Sequence, residues 1–359
     1  MTFFSQPIPG FVYLSGYIIA FALSLFFTWS IIKLADENLF FQNLFERAMA
    51  LTDKKVNPFG GIAVTFSLIG SMWILFGSGF LPKENLILFL VITVGVSLMM
   101  TLGVLDDIYH LPPRFKLFAQ TGIAFIMYAS GFQIESIGGL IQLNHFSIVL
   151  TLLWIVGITN AINLIDGIDG LAGGVIFLSC LTLSIVYLER GIPEAAFLAV
   201  ILGGSVLGFA LSNFPPAKII LGDTGSLPLG LMVSLITLLP LNQGYTDEIY
   251  YLVPLITLLL PIVDTTFAFF RRIFKGVSPF SKDAEHLHHR LEKLGMSTVK
   301  AILILLGACL CFNLSALGVV YNIDILSNMV PKYLAFITLS VLVLVLSLRF
   351  AENKKRNGK

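Results

Sequence analysis

The chain has 359 residues, 57% of them hydrophobic and 12% charged, with a mean hydropathy of +0.91. Soluble domains carry about 25% charged residues, so this composition excludes a soluble globular protein and points to a polytopic membrane protein. The net charge of +1 says little, because the placement of the 22 basic residues matters more than their sum.

Apolar runs long enough to cross a bilayer, roughly 17–25 residues, predict eleven spans. They lie near 11–33, 60–81, 86–105, 115–131, 146–165, 170–188, 195–212, 226–241, 250–270, 300–321 and 332–350. The first run lacks a basic leader and is expected to span rather than to be cleaved. Cys180, Cys309 and Cys311 all fall inside apolar runs and read as buried free thiols, with no disulfide or metal spacing. Taking the loops alternately, one set holds all but Lys83, Arg190 and Lys332 of the basic residues. That bias predicts an outer N-terminus and a cytoplasmic C-terminus. The acids of the other set, among them Glu135, Glu189, Glu194, Asp247 and Glu248, read as solvated loop residues on the outside.

Five polar stretches lie on the predicted inner side. The first, Thr52 to Gly61, places Lys54 and Lys55 before a proline and a Gly-Gly pair. It could cradle an anion, because ammonium groups act as point charges for phosphate, or be a plain basic loop. The second, Gly103 to Tyr109, carries Asp106 and Asp107 at the end of the third span. Adjacent like charges repel unless a cation or a proton sits between them, and acids are unfavourable near a helix C-terminus. The pair therefore suits a divalent metal or a proton acceptor.

The third stretch, Asn160 to Gly174, sets Asn160, Asn163, Asp166 and Asp169 at three-residue steps, a spacing that predicts one shared helical face. Capping accounts for one such acid; two acids with two asparagines exceed it. The fourth, Asn213 to Ser226, holds Asp223 between two glycines. It reads either as a helix cap or as a ligand for a hard cation such as Mg²⁺, which takes one or two carboxylates plus phosphate oxygens and water. The fifth, Asp264 to Arg290, places His286, His289 and Arg290 at helical neighbour spacing. With no cysteine nearby, these donors suit a diphosphate better than zinc.

Together the stretches resemble the polyprenyl-phosphate N-acetylhexosamine-1-phosphate transferase superfamily. The resemblance rests on Leu105-Asp-Asp107, Asn163-Leu-Ile-Asp-Gly-Ile-Asp-Gly-Leu171, Gly222-Asp-Thr-Gly-Ser226, and Ser278-Pro-Phe-Ser-Lys-Asp283 followed by His286-Leu-His-His289. The branch that transfers phospho-N-acetylmuramoyl-pentapeptide typically has three consecutive histidines, and Arg290 stands where the third would be. His286 and the Ser-Pro-Phe-Ser run instead resemble the branch using UDP-N-acetylglucosamine and undecaprenyl phosphate. One departure is Pro58, which sits one residue closer to Gly60-Gly61 than is usual.

The resemblance implies a single all-α membrane domain, 1–359, in a bacterial cytoplasmic membrane. Inner loops near 34–59, 106–114, 165–169, 213–225 and 271–299 would form the active site. It implies Mg²⁺, with Mn²⁺ as a substitute, a UDP-N-acetylhexosamine donor, a polyprenyl phosphate acceptor, a homodimer in some members and no nucleic acid. In the roles it implies, Asp223 holds the metal, while Asp106 and Asp107 engage the lipid phosphate and its proton, Asp107 also touching the metal. Asn163, Asp166, Asp169 and Asn213 shape the uridine and diphosphate pocket. His286, His288, His289, Arg271, Lys282 and Arg290 stabilise phosphate charge, and Lys54 and Lys55 add phosphate contacts. A transporter for a lipid-linked sugar is the rival of a different class. It would place its charges near the bilayer midplane on broken helices, whereas here they gather at span ends.

Overall fold

The computed structural model describes residues 8–38, 42, 46, 56–274, 276 and 286–321. Its helices are α1 (Gly10–Glu37), α2 (Gly60–Gly77), α3 (Leu86–Tyr109), α4 (Pro113–Ala129), α5 (Phe146–Ile165) and α6 (Leu171–Glu189). There follow α7 (Pro193–Asn213), α8 (Gly222–Asn242), α9 (Ile249–Thr257), α10 (Leu259–Phe274), α11 (Leu287–Lys293) and α12 (Thr298–Tyr321). A two-stranded hairpin, β1 (Ser136–Ile137) with β2 (Ile141–Gln142), joins α4 to α5. Helices dominate because hydrocarbon offers no partner for a free backbone N–H or C=O, so each spanning segment must satisfy its own.

Among the described residues, eight helices are long and apolar enough to cross a membrane, or nine if α9 and α10, bent by 71° at their junction, form one span. The expected span at 115–131 is the 17-residue α4, and the one at 332–350 lies outside the described residues. The chain is thus an all-α polytopic membrane protein. Two helix boundaries differ from the sequence expectation in a way that matters. The α3 ladder continues four residues past 105, with His110 N donating to Asp106 O at 2.8 Å, before His110 turns left-handed at φ 52° and stops it. At the other boundary, α8 begins at Gly222 instead of 226. Asp106, Asp107 and Asp223 consequently ride on rigid helix ends.

The hub is α8, buried inside the bundle from Thr224 to Pro240 and packed against α2, α3, α5 and α7. Close approach of α2 to α8 depends on glycine: a Cβ on Gly61 would collide with the backbone of Thr224 and Gly225. Backbone bonds add to this seam. Ile220 N donates to Asn57 O at 2.9 Å, and Gly60 N to Ile220 O at 3.0 Å. By contrast α1 is peripheral, with few buried residues, and it directs Phe11, Leu14, Ile18, Phe26 and Trp29 away from the bundle, as a lipid-facing helix does.

One outer acid departs from expectation. Glu194, read as a solvated loop residue, lies in the first turn of α7, is fully buried, and accepts from Gln243 Nε2 at 3.0 Å. It links the ends of α7 and α8 remote from Asp223. A carboxylate is tolerated there because the amide partner offsets part of its desolvation.

Candidate active site

The ends of α3, α4, α5 and α8 converge at one end of the bundle. The last turn of α3 contributes Asp106 and Asp107. After a short turn, Pro113 opens α4 at its first position, where its missing N–H costs nothing, and this places Lys116 in the first turn. Asn163 lies in the last turn of α5, and Asp223 in the first turn of α8.

Lys116 ties them together. Its Nζ lies 3.1 Å from Asp106 Oδ2 and 3.4 Å from Asn163 Oδ1, and it contacts Asp223 Oδ2 directly. Asn163 Nδ2 donates to Asp223 Oδ1 at 2.7 Å and to Ser226 Oγ at 2.8 Å. The remaining Asp106 oxygen, Oδ1, accepts from Leu111 N at 2.9 Å, which fixes the turn between α3 and α4. The side chains of Lys116, Asp106 and Asp223 are 15%, 16% and 23% exposed, so the cluster is sheltered yet reachable. With these groups ionised, one ammonium faces two carboxylates, and the excess negative charge leaves a place for a further cation.

Asp107 does a different job from its neighbour. Its Oδ1 accepts from Asp223 N at 3.0 Å, and its Oδ2 accepts from Thr224 N at 2.8 Å and Thr224 Oγ1 at 2.6 Å. A carboxylate from α3 thereby satisfies donors that α8 leaves open at its start. Gly222 makes room for it. Its φ of +66° is left-handed, and a Cβ there would lie 2.8 Å from Asp107 Oδ2. Asp107, expected to touch a metal, has both oxygens engaged in holding α8, whereas those of Asp106 and Asp223 are engaged chiefly with side chains of the cluster.

The other expected residues are dispersed. Because α5 ends at Ile165, Asp166 is its C-cap and Asp169 lies in the following turn, so Asn160, Asn163, Asp166 and Asp169 do not share one helical face. Asn160 sits a turn deeper than Asn163 and bonds Gln120 of α4 at 2.6 Å. Asn213, expected at a substrate pocket, is buried and used internally: its Oδ1 accepts from Gly170 N at 2.8 Å and its Nδ2 donates to Ile219 O at 3.0 Å. It fastens the turn before α6 to the segment that leads into α8. His286 is 4% exposed, with Nδ1 2.9 Å from Asp264 Oδ2. Arg290 is buried in α11. His288 and His289 are the second and third residues of that helix, and Arg271 is half-buried in the last turn of α10. Lys54, Lys55 and Lys282 lie outside the described residues.

Lys116 escaped the sequence reading, hidden among inner-loop basic residues that topology alone accounts for. Its one signal is Gln120, four residues on and so on the same helical face, a second polar side chain on a mostly apolar helix. Among the described residues, no group of three His, Cys, Asp or Glu side chains converges to enclose a metal. The donors that do converge, oxygens of Asp106, Asn163 and Asp223, fit Mg²⁺, which takes few carboxylates and completes its shell with phosphate and water.

The sequence model described as glycosyl transferase family 4 matches residues 89–240, a stretch that includes Asp106, Asp107, Lys116, Asn163 and Asp223. A probable undecaprenyl-phosphate N-acetylglucosaminyl 1-phosphate transferase of Bacillus subtilis is 37% identical over 270 residues, 74% of either chain. The chain belongs to glycosyl transferase family 4. Other similar proteins are an undecaprenyl-phosphate alpha-N-acetylglucosaminyl 1-phosphate transferase of Escherichia coli K12, 27% identical over 79% of this chain and 74% of its own, and a decaprenyl-phosphate N-acetylglucosaminephosphotransferase of Mycolicibacterium smegmatis, 33% identical over 60% and 59%. In this family 4 chain the matched region runs from α3 through α8, the helices whose ends carry the cluster.

Proposed function

We propose that the chain transfers N-acetylglucosamine 1-phosphate from UDP-GlcNAc to a polyprenyl phosphate, undecaprenyl phosphate, at the cytoplasmic face of a bacterial membrane. The products are polyprenyl-diphosphate-GlcNAc and UMP, and the step opens the assembly of an envelope glycan. The observation that carries this reading is the cluster in which Lys116 bridges Asp106, Asn163 and Asp223 at the ends of spanning helices. Such a position suits one substrate from water and another from lipid. The names of the similar proteins support the sugar and the lipid class.

In the reaction, a lipid phosphate oxygen attacks the sugar-linked phosphorus of UDP-GlcNAc, a new P–O bond forms, and the P–O bond to UMP breaks. Attacker and leaving group are both anionic, so charge neutralisation and positioning dominate over covalent chemistry. Lys116, a compact ammonium on a flexible stem, turns from its carboxylate partners to the phosphate oxygens. Asp106 takes the proton of the lipid phosphate. Asn163, itself bonded to Ser226, orients Asp223, and Asp107 holds the start of α8 so that Asp223 points into the cluster. Asp223, with Asp106 and Asn163 beside it, would hold Mg²⁺, which when bound neutralises diphosphate charge. His288 and His289 supply further donors to the phosphates, and Asp166 and Asp169 border the nucleotide.

The test is UMP release by the purified protein given undecaprenyl phosphate, Mg²⁺ and a panel of UDP-sugars. Release with UDP-GlcNAc is expected. Release with UDP-MurNAc-pentapeptide and none with UDP-GlcNAc would replace this reading with the branch that transfers phospho-N-acetylmuramoyl-pentapeptide.

A further inference from the structure

Away from the Lys116 cluster, a second buried acid is paired in a way the reaction above does not use. Asp264 sits in α10, beyond the 71° break that separates it from α9. It is 5% exposed, and its oxygens are engaged by the N-cap and the first residue of α11. Oδ2 lies 2.9 Å from His286 Nδ1, and Oδ1 accepts from Leu287 N at 3.0 Å. With Asp264 ionised its oxygens only accept, which assigns the ring proton of the pair to Nδ1. Leu287 and Leu291, one helical turn apart, are both buried in the main core and seat the same helix from its apolar side. Helix α10 in turn packs against α5, which carries Asn163.

We propose that Asp264 and His286 form a latch that sets the position of α11, and with it His288 and His289, relative to the Asp106–Lys116–Asp223 cluster. Asp264 and His286 act as positioning residues, since the His286 ring is buried and its Nδ1 is committed to Asp264. Apolar residues would fill this space at lower desolvation cost. A directional, two-point bond instead fixes both the start of α11 and its rotation. Small misplacements of substrate-positioning groups are expensive, about a hundredfold in rate for 1 Å.

The kinetic arm of the test rests on the transferase reading; the exchange arm does not. Asp264→Ala, Asp264→Asn, His286→Ala and the double variant Asp264→Ala/His286→Ala are compared in UMP release. Amide hydrogen exchange is measured over 287–294 and, as a control, over 222–230. Asp264→Ala is expected to lower kcat roughly tenfold to a hundredfold, and the double variant to fall no further than the worse single change. Asp264→Asn keeps an acceptor for Leu287 N and can donate to His286 Nδ1 once the ring proton moves to Nε2, so it should recover most of the loss. Exchange over 287–294 should rise in Asp264→Ala and in His286→Ala with no change over 222–230. Unchanged exchange over 287–294 would overturn the latch, as would Asp264→Asn being as inactive as Asp264→Ala. Should the wild-type protein release no UMP, the transferase reading fails and the exchange arm alone decides the latch.

Discussion

Asp107 Oδ2, in the last turn of α3, accepts from both the amide and the hydroxyl of Thr224 in the first turn of α8, at 2.8 and 2.6 Å. The adjacent Asp106 points instead to Lys116 at 3.1 Å. Neighbouring residues on a helix do not face the same way, and here that divides an Asp-Asp pair into one member that holds the fold and one that faces the cluster.

Asp107→Ala should therefore act on stability before chemistry. It leaves Asp223 N, Thr224 N and Thr224 Oγ1 without the carboxylate they share, and hydrogen bonds to a charged group are worth about 1.5–3 kcal/mol. A loss of about 2 kcal/mol or more is expected in denaturant unfolding of the detergent-solubilised protein. Asp107→Asn, which keeps an acceptor, should fall between the two. Unfolding of Asp107→Ala indistinguishable from wild type would remove the capping role.

Lys116→Met should fail in two separable ways. Removing one partner of a sheltered ion pair is destabilising by about 3–5 kcal/mol when the pair is fully buried; at 15–23% side-chain exposure a smaller loss is expected. Adding Asp106→Asn removes one of the two carboxylates left facing each other and should restore much of the unfolding midpoint. UMP release should stay absent in both proteins. A double variant that regained turnover would show that the ammonium serves only to balance charge.

Glu194 supplies the contrast. Its bond to Gln243 at 3.0 Å lies at the end of the bundle remote from Asp223. Glu194→Gln should leave turnover within about twofold of wild type and change stability by about 1 kcal/mol, the scale of one net hydrogen bond. A tenfold fall in kcat would mean that the two ends of the bundle are coupled and that function is not confined to the Lys116 end.

What the sequence made legible, and what it hid, follows from the physics of each signal. The spans were readable because hydropathy over about 20 residues is a strong, additive signal in lipid. Asp106, Asn163 and Asp223 were singled out because polar residues at span ends need a reason to be there, and the structure brings all three onto Lys116. Lys116 itself was lost in the basic inner loops that topology demands. Asn213 bridges two backbone segments, and in sequence such a buried asparagine looks like one that faces a ligand. Gly222 and Gly225 suggested a loop, yet they serve the entry to a helix and its close contact with α2. Asp264 carried no signal of its own, since its partners are 22 and 23 residues away.

The central claim is that Asp223, held by Asn163 and Lys116, is the acid on which transfer depends. UMP release by Asp223→Asn, measured across a wide range of Mg²⁺ concentrations alongside its unfolding midpoint, tests it most directly. No release above background is expected at any Mg²⁺ concentration, in a protein that still unfolds cooperatively. Turnover close to wild type in that variant would contradict it.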